Sequence, residues 1–308
     1  LSRATPLYRF WSPRYWTTWL GLGLLRLLSL LPFRAQMALG GALGWLLRLT
    51  LRSRRRIAER NLAVCFPERS DAERAHLLRA QFASLGRGVF EIGLCWWGDA
   101  DDLRSRVRIE GLEHLQQALA QGHGAIILSA HFTTLEIGGR LLGLFTPFHL
   151  MYRPHSNALF EEVLRRRREH HFERAISRDD VRSMIRSLKD GRAVWYAPDQ
   201  AWDRKAGALV PFFGIPAHTN TATTRFAQMS GAPVVPFFPL RDADDAGYTL
   251  HMLPPMAGIP SGSAEDDAAR INALYEEWIR RAPAQYLWVH RRFKRLEGEH
   301  ADLYDRAD

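Results

Sequence analysis

The spacing of apolar residues divides the chain into two kinds of segment. Residues 15–33, "YWTTWLGLGLLRLLSLLPF", are apolar almost without interruption, broken by Arg26 near the middle and Pro32 near the end. A second apolar run, "AQMALGGALGWLLRLTL", follows at once, and Leu39, Leu43, Leu46, Leu47 and Thr50 fall on one helical face of it. A spanning helix needs about 18 apolar residues with few charges, which the first run lacks, and there is no small-residue cleavage pattern of a signal peptide. The pair reads as a membrane-embedded or interfacial helical hairpin, or as one tilted anchor followed by an interfacial helix. Trp side chains and Arg3, Arg9 and Arg14 would sit at headgroup depth. Two buried helices of a soluble protein are the plainer alternative.

Downstream the pattern changes. Residues 70–97 are helical in period, opening on Ser70 with Glu73 three positions later, a capping box. After Gly111 helices and strands alternate. Helices are predicted over 112–122, 134–145, 158–172, 178–191, 221–231 and 265–283. Strands are predicted over 125–130, 149–153, 193–199, 232–241 and 248–255, with a short extended piece near Ala175. Such alternation predicts an α/β fold, a mainly parallel sheet flanked by helices. The division is residues 1–60, a membrane-anchoring helical region, and 61–308, an α/β domain.

Composition sharpens this picture in two places. Lys and Arg number 42 against 33 Asp and Glu, a net charge of +9 that calls for an anionic partner: nucleic acid, phospholipid, a phosphorylated substrate or an acidic protein. The densest basic stretch, "RLTLRSRRRIAERN", directly follows the apolar runs, which favours an anionic leaflet over nucleic acid and places the remainder on the cytoplasmic side. The two cysteines, Cys65 and Cys95, have no metal-like spacing and suggest no disulfide framework.

In open α/β sheets ligands bind beyond the carboxyl ends of the strands. The residues expected there are His131, Arg153, Asp199 and Arg241. Thr133 and Glu136 form T-x-x-E, a second capping box, which keeps His131 out of the helix. Within a helix, five positions would set His131 and Glu136 about 140° apart; with His131 in the preceding turn the two side chains can meet. A neutral imidazole so held can take a proton from an alcohol attacking an activated acyl group, while a carboxylate on its other nitrogen fixes the tautomer. No G-x-S-x-G elbow is present and neither cysteine adjoins a base, so direct attack is favoured over an acyl-enzyme. His170 and His171, adjacent on a helix, point about 100° apart and make poor metal ligands. No metal or cofactor is expected. On the helix 158–172, Phe160, Leu164 and Arg168 share one stripe, so Arg168 should point inward while Arg165 and Arg166 turn away. Thr219, Thr221, Thr223 and Thr224 read as helix-start residues.

The blocks "AHFTTLEIGGRLL", "MYRPHSNALFEEVLRRRRE", "RDDVRSMIRSLKDGRAVWYAPDQ", "VPFFGIPAHTNTATTRFAQMSGAPVVPFF" and "QYLWVHRRFK" with a later "LYD" resemble, in order, those of the late acyltransferases of lipid A biosynthesis, the lauroyl and myristoyl transferases. The resemblance runs from the N-terminal apolar segment nearly to the C-terminus. It implies a fold like that of the glycerolipid acyltransferases, and transfer of a fatty acyl chain from acyl carrier protein to the hydroxyl of a 3-hydroxyacyl chain on a lipid A precursor. The location it implies is the cytoplasmic face of the inner membrane. His131 then matches the general base and Glu136 its acidic partner, with Arg153, Arg168, Asp199 and Arg241 as substrate-binding residues. Arg291, Arg292 and Lys294 would meet either the anionic lipid or the carrier protein, and nucleic acid is no partner. Transfer to another glycolipid or aminolipid, a membrane-associated thioesterase or esterase, and a non-catalytic binding protein for anionic lipid or nucleic acid are the alternatives.

Overall fold

A computed structural model describes residues 5–202, 207–296 and 303–304. Arg3 and Asp305, both within stretches singled out above, lie outside them. The chain opens with α1 (Trp16–Leu28), α2 (Phe33–Thr50), α3 (Arg52–Cys65), α4 (Asp71–Trp97) and α5 (Ala100–Ser105). The alternating part follows: β1 (Val107–Glu110), α6 (Leu112–Ala120), β2 (Ala125–Leu128), α7 (Leu135–Leu142), β3 (His149–Tyr152), α8 (Ala158–His171), β4 (Arg174–Ser177), α9 (Val181–Lys189) and β5 (Ala193–Tyr196). It ends with β6 (Gly207–Phe212), β7 (Ile215–Asn220), α10 (Ala222–Ser230), β8 (Val234–Arg241), β9 (Tyr248–Met252) and α11 (Ala264–Arg281).

Seven strands form one sheet in the order β1-β9-β8-β2-β5-β3-β4, in which only β8 and β9 pair antiparallel. Both faces are covered. Ile126, Leu128, Val194, Val234 and Phe238 belong to one apolar cluster, and Ala125, Ile127, Ala193, Val235 and Phe237 to the other. That is why the central strands read as continuous apolar runs instead of alternating ones. The α/β class and mainly parallel sheet stand as expected. Two features were not anticipated: β1 at the sheet edge, whose residues alternate only between half-buried and exposed, and the β6–β7 hairpin, a separate antiparallel pair. In the hairpin segment Pro211, Gly214 and Pro216 masked the strand pattern.

Ser70 caps α4 through the predicted reciprocal box with Glu73. α2 lies across α4 with backbones almost touching: a Cβ on Gly44 would come 2.1 Å from the Phe82 carbonyl oxygen, and one on Gly86 would come 2.1 Å from that of Gly40. The buried face of α2 is therefore Gln36, Met37, Gly40 and Gly44, while Leu39, Trp45, Leu46 and Leu49 point outward. α1 likewise exposes Trp16, Leu20, Leu24 and Leu27, spaced at i, i+4, i+8 and i+11. No helix among the described residues is long and apolar enough to cross a membrane. The division expected after residue 60 falls inside α3, and Phe33 and Met37 of α2 share an apolar cluster with Tyr248 of β9.

Candidate functional site

The register of β2 on β5 pairs Leu128 with Tyr196. Three residues further along each parallel strand stand His131 and Asp199, and at that edge of the sheet their side chains meet. The Asp199 Oδ1 lies 2.5 Å from His131 Nδ1, and Oδ2 accepts the backbone N–H of His131 at 3.0 Å. Tyr286 donates its hydroxyl to the same Oδ2 at 3.0 Å. Tyr286 is brought there by the segment after α11, whose Leu287 N–H bonds to the His131 carbonyl and whose Gln285 carbonyl accepts from Thr133 N–H.

Asp199 is 1% exposed and sits behind the ring; His131, at 27%, reaches the cavity in front. Burial alone would push the Asp199 carboxyl up, but the His131 charge and its hydrogen bonds outweigh burial and hold it below the ordinary carboxylate value. Burial alone would likewise depress His131, and Asp199 reverses this, raising the imidazole above its ordinary value. With Nδ1–H given to Asp199, Nε2 is the nitrogen left for proton transfer; no protein group among the described residues hydrogen-bonds to it.

Glu136 is not the partner of the ring. Its carboxylate takes a two-point hydrogen bond from Arg168, Nη2 to Oε2 at 2.7 Å and Nε to Oε1 at 3.2 Å. The expected His131–Glu136 contact is corrected accordingly, and so is the capping box behind it. α7 starts at Leu135 with Thr134 at the N-cap and no side-chain cap bond. Thr133 instead bonds through its hydroxyl to Ser84 of α4, and Thr134 to the Pro239 carbonyl of β8. Tertiary partners claim both hydroxyls, and the charged fork of Arg168 is a stronger partner for Glu136 than a neutral backbone N–H.

The cavity in front of His131 has a volume of about 550 Å³. Leu135, Leu150, Leu164, Phe172, Trp195 and Phe226 give it apolar walls; Arg153, Arg168, Arg178 and Arg225 give it cations. α7 lies tight on the sheet at this point, since a Cβ on Gly139 would come 2.0 Å from the Trp195 ring. Arg168 points inward as its stripe required, over the Tyr152 ring at 4.8 Å, while Arg165 and Arg166 pair with Glu162. His290, pushed down to about 4 by burial first and by surrounding cations, stays neutral and accepts the Ala201 N–H, holding the loop past Asp199.

Two other expectations are corrected. Arg241 does not face the cavity: it is 3% exposed, bonded to Glu91 through Nε at 2.8 Å and to Ser84 through Nη1 at 3.0 Å, within the α4 layer. Its strand continues five residues past the point where β2 stops pairing, and there it is roofed by α4 instead of solvent. Arg292 is buried too, donating to the His218 carbonyl and Thr219, so it offers no docking surface. Among the threonines, Thr219 lies in β7 and Thr221 takes the N-cap position of α10 without a side-chain cap bond; Asn220 accepts the Ala222 N–H instead. Sequence reasoning passed over Tyr286, His290, Arg178 and Arg225. For Tyr286 and His290 the only signal was their place in the "QYLWVH" block.

A histidine backed by a buried carboxylate, opening on a cavity with apolar walls and cationic groups, is the arrangement expected of acyl transfer. The sequence profile described as "Bacterial lipid A biosynthesis acyltransferase" matches residues 6–295. The chain belongs to this family. It is 41% identical over 288 residues to a lipid A biosynthesis lauroyltransferase of Escherichia coli K12, covering 93% of this chain and 94% of that protein. It is 40% identical over 299 residues to the lipid A biosynthesis palmitoleoyltransferase of the same organism, with 96% of each covered. A lipid A biosynthesis myristoyltransferase, also from E. coli K12, is 28% identical over 301 residues, covering 97% of this chain and 93% of that one. The protein is thus an acyltransferase of lipid A biosynthesis.

Proposed function

We propose that this acyltransferase moves a fatty acyl chain from an acyl carrier protein thioester to the hydroxyl of a 3-hydroxyacyl chain on a lipid A precursor, with His131 as general base. The observation that carries the reading is the His131–Asp199 pair opening on an apolar-walled cavity. Nε2 takes the proton of the attacking hydroxyl as its oxygen bonds to the thioester carbonyl carbon. Asp199 stabilises the imidazolium so formed, and the proton passes to the departing thiolate as the C–S bond breaks. Glu136 and Arg168 form a fixed charged pair in the cavity wall, positioned to hold the substrate. Arg153 and Arg178 supply positive potential for an anionic acceptor or a developing oxyanion.

We further propose that the outward apolar faces of α1 and α2 rest on the cytoplasmic leaflet of the inner membrane. Their support is the exposed stripe itself, since large contiguous apolar patches on a soluble surface mark a contact site, and the Arg52–Arg56 stretch of α3 that follows it.

Incubating the purified protein with the lipid A precursor and a mixture of acyl carrier protein thioesters tests the reading by mass spectrometry. A single added acyl chain on the precursor is expected, and its mass reports the chain length. Thioester hydrolysis without acceptor acylation would identify a thioesterase instead.

A further inference from the structure

Three of the four consecutive arginines on α8 are matched by carboxylates: Arg165 by Glu162 and Glu169, Arg166 by Glu162, and Arg168 by Glu136. Arg167 is not. Its Nη1 donates to the Trp96 carbonyl at 3.3 Å, and its guanidinium carbon lies 5.2 Å from the centre of the Trp97 ring. The guanidinium of Arg26, on α1, lies 5.5 Å from the centre of that same ring. Arg26 also reaches Ser29 at 3.3 Å. Neither arginine forms an ion pair with a carboxylate among the described residues.

Two cations on one indole gain from its negative faces but repel one another. Burial lowers the proton affinity of Arg167, and Arg26 lowers it further. An anion beside both guanidiniums would relieve that repulsion and accept hydrogen bonds from each. Arg26 stands on the helix that exposes Leu20, Leu24 and Leu27, so a molecule bringing an anion here also meets apolar surface. Arg167 in turn is next in sequence to Arg168 of the cavity wall. We propose that Arg26, Trp97 and Arg167 form a binding site for the phosphate group of an anionic lipid lying against α1. The lipid character of the ligand rests on the reading of α1 as membrane-facing. The phosphate belongs either to a bilayer phospholipid or to the acyl acceptor.

The full-length protein, R26Q/R167Q and R26K/R167K are compared in two assays. The first is co-flotation with phosphatidylcholine vesicles with and without phosphatidylglycerol. The second is acyl transfer in neutral detergent to a phosphorylated and to a dephosphorylated acceptor. R34Q/R48Q, which neutralises two arginines of α2, controls for general surface attraction. If bilayer phospholipid is the ligand, R26Q/R167Q loses phosphatidylglycerol-dependent binding by about tenfold, more than R34Q/R48Q does. If the acceptor is the ligand, KM for the phosphorylated acceptor alone rises by about tenfold with kcat unchanged. In either case the lysine variant recovers part of the loss. Equal losses in R26Q/R167Q and R34Q/R48Q, or no change in either assay, overturn the proposal. Should the wild-type protein transfer no acyl group, the functional reading fails and the flotation result alone decides this one.

Discussion

Charged residues that look alike in sequence differ here in what surrounds them. Arg153 directly follows β3 and Arg241 ends β8, yet Arg153 is exposed at the cavity while Arg241 is enclosed by Glu91, Ser84 and Tyr248. Removing one member of a buried ion pair leaves the other uncompensated, so Arg241→Met should destabilise the fold by about 3–5 kcal/mol, measured by urea unfolding. Arg153→Gln should leave the unfolding midpoint in place and instead raise KM for the anionic acceptor. His131 and Asp199 were legible as candidates because polar residues just past apolar strands are conspicuous, and Arg168 because it continues the apolar stripe of its helix. Their partners were not. Asp199 meets His131 only because β5 lies beside β2 in the sheet, although β3 and β4 intervene in the chain, and no local pattern encodes that adjacency. The T-x-x-E pattern turns Glu136 towards the ring only if the box forms, and Arg168, 32 residues away, claims the carboxylate instead.

Among the elements, the crossing of α2 on α4 shows how small residues set geometry. Gly44→Ala would drive a Cβ into the backbone of residues 82 and 83 and should cost about 1–3 kcal/mol by overpacking. Gly21→Ala on α1 meets nothing within 4 Å and should stabilise by about 1 kcal/mol through helix propensity. Thermal unfolding of the two variants should therefore shift in opposite directions. Periodicity revealed the long helices and the buried strands. It also marked the leucine-rich face of α2, which turns outward at Leu39 and Leu46, but not the face that packs on α4, because that face is set by close backbone approach and not by leucine content. Capping was legible at Ser70, where the hydroxyl and carboxylate are exposed and have no competing partner, and illegible at Thr133, where α4 supplies one.

At the scale of the whole molecule, α1 and α2 with their exposed apolar faces and the sheet edge that carries His131 belong to one packed unit, with α8 touching α1 and lining the cavity. Leu20→Glu with Leu24→Glu should lower binding to anionic vesicles by about tenfold or more while leaving thermal unfolding unchanged, since both side chains are exposed. Unchanged vesicle binding would remove the membrane from the account. The central claim, that Asp199 and not Glu136 sets the basicity of His131, is tested most directly by the pH profile of kcat/KM for acyl transfer. The base must be unprotonated, so activity should rise with pH through the raised His131 pKa, placing the acid limb of the wild-type protein above 6.5. Asp199→Asn removes the charge that raises it: the limb should move to lower pH and the plateau fall by about a hundred- to ten-thousand-fold. Glu136→Gln should lower the plateau and leave the limb where it was. A limb that moves in Glu136→Gln and stays fixed in Asp199→Asn would contradict the account.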